Sequence, residues 1–122
     1  MENKNINIIK GHFLNIRELI LYAILDSDVC EEIEIVTGFH EKDFSFVASE
    51  MYNLAQNIKE DNIVDIVNIS HLIIARSCIS RAEGSFGVYS RIMSYDEDIV
   101  EKYEKEKNFI ENLIKIIEII KE

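Results

Sequence analysis

The amino-acid sequence predicts an all-α protein: a compact bundle of four to five helices around a buried apolar central helix at about 62–83. Three observations carry this. Between residues 63 and 82 the apolar side chains Ile63, Val64, Ile66, Val67, Ile69, Leu72, Ile73, Ile74, Ala75, Cys78, Ile79 and Ala82 are too many for one stripe. A helix apolar nearly all round belongs between neighbours. The same stretch has no proline, glycine or turn cluster, and it is longer than strands usually run. Finally, the chain contains no proline and only four glycines, which suits long helices joined by short turns.

About 20 apolar residues can cross a bilayer. Here Asp65, Asn68, Ser70, His71, Arg76 and Arg81 interrupt the run, so the reading is a core helix and no membrane span.

In chain order, Ile6, Ile9, Phe13, Ile16, Ile20 and Ile24 recur at helical steps and define a first helix over 4–26. Gly11 costs it roughly 1 kcal/mol against alanine and predicts a looser first turn or two. Ser27-Asp28 supplies a stop and a new start, with Asp28 and Glu31 at capping-box spacing. Residues 29–37 fit a short helix closed by Gly38, through Val29, Ile33 and Val36, or a brief strand by the alternation Glu32-Ile33-Glu34-Ile35. The helix is preferred, because a single strand has no partner. His40 to Asp43 reads as a turn with Asp43 or Ser45 as N-cap. The next helix runs to about Glu60, with Phe44, Val47, Met51, Leu54 and Ile58 on one face. Asp61-Asn62 separates it from the central helix, which Gly84 and Gly87 are expected to bend or break before a short helix over 86–93.

The last helix starts near Asp96, with Asp96, Glu97 and Asp98 in its first turn and Lys121 in its last, as the helix dipole prefers. Tyr103, Ile110, Leu113, Ile117 and Ile120 form a heptad-like seam. Phe109, Ile114, Ile116 and Ile119 exceed what one seam uses, which points to a further contact and a homo-oligomer through this helix.

A length of 122 residues predicts one domain over 1–122 that buries about two-thirds of its extended-chain surface. The opening residues show no signal-peptide pattern, and Cys30 and Cys78 fit small buried hydrophobes in a reduced, cytoplasmic protein. The net charge of −10 disfavours direct nucleic-acid binding, which is dominated by phosphate contacts. The charge is uneven. Residues 26–61 carry a net of −8 and residues 96–122 a net of −4, while 1–25 and 62–95 are each +1.

Two side-chain groups stand out. The acidic block offers Asp28, Glu31, Glu32, Glu34, Glu41 and Asp43 as a face for a basic protein partner, since complementary charge speeds association and selects the partner. The alternative is a site for a small anion, a nucleotide or phosphometabolite, built from His71, Arg76, Ser80, Arg81, Glu83 and Arg91. Arginine presents a forked set of donors suited to phosphate. Helical ribonucleases of the HEPN type carry an Arg followed four to six residues later by His. Here His71 precedes Arg76 and no His follows any arginine at that distance, so the motif is absent.

No metal or cofactor is expected. Asp26, Asp28, Glu31, Glu32, His40, Glu41 and Asp43 match neither an EF-hand loop nor the Glu-x-x-His pattern. Gly84-Ser85-Phe86-Gly87 is too short for a phosphate loop and lacks its lysine, and no Gly-x-Ser-x-Gly elbow orients a nucleophile. The expectation is therefore a protein that acts by binding and not by catalysis: an inhibitor, antitoxin or immunity type of acidic bundle.

Overall fold

A computed structural model describes the backbone of residues 4–93 and 97–121, and the side chains of 5–86 and 98–121. The described chain forms six helices: α1 (Lys4–Leu25), α2 (Ser27–Thr37), α3 (Glu41–Asn57), α4 (Ile63–Ile66), α5 (Ile69–Met93) and α6 (Glu97–Lys121). No strand occurs among the described residues, so the all-α class holds and 29–37 is helical.

Residue chemistry sets the boundaries. Asp26 caps α2, its carboxylate accepting from the Asp28 and Val29 N–H groups at 3.1 and 3.2 Å. The cap thus falls two residues before Asp28, the position expected from the capping-box spacing. Gly38 closes α2 at φ 79°, where a side chain is strained, and donates its N–H to Glu34 O at 2.9 Å. His40 is the N-cap of α3, and Asp43 accepts from the His40 N–H at 2.9 Å as the reaching-back half of a capping box.

The central helix differs from expectation in three respects. It begins at Ile69 and not near 62, because Asn68 ends the preceding segment and starts a new one. The Asn68 side chain accepts from the Ser70 N–H at 2.8 Å, and its carbonyl accepts from His71 and Leu72 at 3.1 and 3.2 Å. Residues 63–66 form only the single turn α4, which brings the helix number to six. Past Ala82, α5 runs through Gly84 and Gly87 to Met93 without a break. An interior glycine costs about 1 kcal/mol, and the packing of Leu72, Ala75, Cys78, Ile79 and Phe86 outweighs it.

Helix α5 touches α1, α2, α3 and α6, and α1 lies chiefly against α3. Phe13, Ile16 and Ile20 meet Phe44, Val47 and Met51, with Leu72, Ile79, Tyr103, Ile110 and Ile117 completing the core. The burial of α5 is one-sided, however. Ile73 is 39% exposed and Ile69 and Ile74 are only partly covered, as are Ile63 and Ile66 of α4, so the segment expected to be buried all round is not.

Burial pushes the Cys78 thiol up to about 12 and also raises Cys30, so both stay protonated and unreactive near neutral pH. Among the described residues no helix is long and apolar enough to cross a membrane.

Candidate functional site

Three regions carry polar side chains that the fold brings together. The first is the acidic block on α2 and at the start of α3. Asp28, Glu31 and Glu41 are exposed, whereas Glu32, Glu34 and Asp43 are half-buried. The half-buried three are engaged locally: Glu32 pairs with Arg81 of α5, and Asp43 caps α3. Glu34 accepts from the Glu41 N–H at 3.0 Å and lies 3.6 Å from His40 Nδ1. The exposed acids do not stand alone. Leu25, three residues before Asp28, and Ile35 are 83% and 74% exposed, while Val36, 58% exposed, borders the depression lined by Arg76 and Arg81. On a helix, Asp28, Glu31 and Ile35 share one side.

The second region divides the arginine group. Arg76, Ser77, Ser80 and Arg81 line a shallow depression of about 490 Å³ with Thr37 and Glu111. The ion pairs among the described residues do not include Arg76, and Arg81, paired with Glu32, has its Nε buried without a hydrogen-bond partner. His71 lies elsewhere on α5, edge-on to Phe46 at 5.4 Å. Glu83 is also elsewhere, pairing at 2.8 Å with Lys107 of α6, whose ammonium that hydrogen bond stabilises. The side chain of Arg91 lies outside those described. Three of the six residues proposed for an anion site therefore come together.

The third region escaped the sequence reading. Glu106 of α6 has a side chain only 2% exposed. A buried carboxylate needs partners, because losing water costs several kcal/mol per ion. Two α1 residues, one helical turn apart, supply them. His12 Nδ1–H donates to Oε1 at 2.5 Å, and Asn15 Nδ2 donates to Oε2 at 3.1 Å. The proton is placed on Nδ1 because an ionised carboxylate only accepts. Phe109 stacks on the His12 ring at 4.1 Å and 14°, fixing its plane. Just beyond, Tyr103 donates its hydroxyl to Leu19 O at 2.6 Å, a second polar tie between α6 and α1.

Glu106 and Asn15 also form part of the wall of a cavity of about 510 Å³ between α1 and α6. Glu18 and the two lysines Lys102 and Lys105 carry its other charges, and Leu19, Tyr22 and Ile99 its apolar surface. A signal for the site was present in the sequence: Glu106 falls between Tyr103 and Ile110, on the apolar seam itself. Among the described residues no group of three or more His, Cys, Asp or Glu side chains gathers to hold a metal ion.

No protein-family model matches the chain, and neither a curated protein nor a solved structure does.

Proposed function

We propose that the protein acts by binding a basic protein partner through the solvent side of α2, as an inhibitor, antitoxin or immunity type of bundle does. One observation supports this reading above others: exposed Leu25, at the entry to α2, and exposed Ile35, on the same side of α2 as Asp28 and Glu31, accompany the exposed carboxylates of those two residues. Apolar side chains at the centre of a charged rim are the usual composition of a protein interface. The apolar atoms supply affinity, and the acids attract and orient a positively charged surface. Glu41 extends the rim. Glu32, Glu34 and Asp43 contribute to the local field while held by their own partners. The exposed Ile116, Ile119 and Ile120 of α6 would be the surface through which a second copy packs.

The test is the pair Asp28→Lys and Glu31→Lys together. Reversing Glu32 is avoided, since a lysine there would face Arg81 and confound binding with stability. Affinity capture with the double variant is expected to lose the basic protein that the wild-type chain retains at low salt, at an unchanged melting midpoint. Equal retention by both proteins would overturn the proposal.

A second reading rests on Arg76 and Arg81, two guanidinium groups that line one depression, Arg81 already paired with Glu32. With Ser77 and Ser80, these donors suit a phosphorylated metabolite or nucleotide. A ligand at 100 times its dissociation constant adds about 2.7 kcal/mol of stability. A thermal-shift screen of such compounds is expected to show a rise that Arg76→Ala removes; a screen without any rise rejects this site for the compounds tried.

A further inference from the structure

We infer that the cavity between α1 and α6 is a binding site for a zwitterionic small molecule, an α-amino acid with an apolar side chain. It lies apart from the α2 face and does not depend on it. Its volume, about 510 Å³, falls within the range of about 300–1,000 Å³ typical of ligand pockets.

Charge and position determine the class of ligand. The lining carries two acids and two lysines. A ligand with one sign of charge can pair with only the acids or only the lysines, whereas one bearing both signs can pair with an acid and a lysine at once. The acids differ in position: Glu18 is at the exposed rim, and Glu106 is buried. A carboxylate has about four lone-pair directions. His12 and Asn15 occupy two of those on Glu106, hold the group in place and leave acceptor capacity for a ligand ammonium. Lys102 lies one turn before Glu106 on α6, and Lys105 is its immediate neighbour; both are exposed at the mouth. They are placed to receive a ligand carboxylate while the amine points inward. Leu19, Tyr22 and Ile99 leave an apolar wall for the ligand's side chain. The Tyr22 ring also offers a π face toward a cation.

The test is isothermal calorimetry on the full chain with L-phenylalanine, set against phenethylamine, which lacks the carboxylate, and hydrocinnamate, which lacks the amine. L-Phenylalanine is expected to bind roughly tenfold or more tightly than either, the factor that losing one charge-assisted hydrogen bond implies. Lys102→Ala with Lys105→Ala, both at exposed positions, should abolish the preference over phenethylamine. Glu106→Gln should abolish the preference over hydrocinnamate. If Glu106→Gln does not fold, the lysine variant alone decides. Absence of binding by L-phenylalanine, equal binding of the three probes, or wild-type preferences in the lysine variant would overturn the inference.

Discussion

Tyr103→Ala is expected to lower the unfolding free energy by about 3–5 kcal/mol, read from urea denaturation followed by circular dichroism. The side chain is fully buried, and its ring stacks on Phe86 at 5.5 Å and 23°. The hydroxyl donates to a Leu19 carbonyl that already serves α1's own ladder. Tyr103→Phe therefore removes one hydrogen bond and opens no cavity, at a cost of about 0.5–1.5 kcal/mol. A loss as large in the Phe variant as in the Ala variant would show that the hydroxyl, and not the ring, joins α1 to α6.

The pH dependence has a definite sign. Burial pushes the Tyr103 pKa upward, so folding disfavours the phenolate. Stability from this group is intact below the unfolded value near 10 and declines as pH rises above it. Tyr103→Phe should remove that part of the alkaline loss.

Ile79→Ala should cost about 2–5 kcal/mol, whereas Ile73→Ala on the same helix should stay within about 0.5 kcal/mol. Ile79 is fully buried, and Ile73 is 39% exposed. The sequence alone does not separate them, because both sit in an isoleucine-rich run with apolar neighbours. Equal losses would mean that α5 is covered on all sides, as its composition suggests, and that the uncovered face is occupied by a partner under the assay conditions.

The helical class was legible because chain chemistry and packing agree. The apolar stripes at Phe13–Ile16–Ile20 and Phe44–Val47–Met51 recur at helical spacing and meet in the core. Gly38 ended α2 as its backbone freedom suggests. Asn68 was harder to interpret: its side chain can either point to water within a helix or turn back to cap one, and only the neighbouring packing decides. The glycines misled for a related reason. Helix-breaking tendency at Gly84 is about 1 kcal/mol, less than the burial that holds α5 together.

Site geometry was less legible than the fold. On a helix Arg76, Ser80 and Glu83 share one side, but Lys107, twenty-four positions farther on, pairs with Glu83. Nothing local in the sequence announces that partner. Glu106 was the opposite case. A carboxylate on an apolar seam is visible in the letters, but His12 and Asn15, which make its burial tolerable, lie at the other end of the chain.

That separation has a bearing on synthesis. His12 and Glu106 are 94 positions apart. At translation speeds of about 5–20 residues per second, roughly 5–20 s pass between their emergence. During that interval α1 can settle against α3, but its histidine has no carboxylate to hold and the Leu19 carbonyl has no phenol. The seam on α1 stays open to water until α6 has been made and can pack against it.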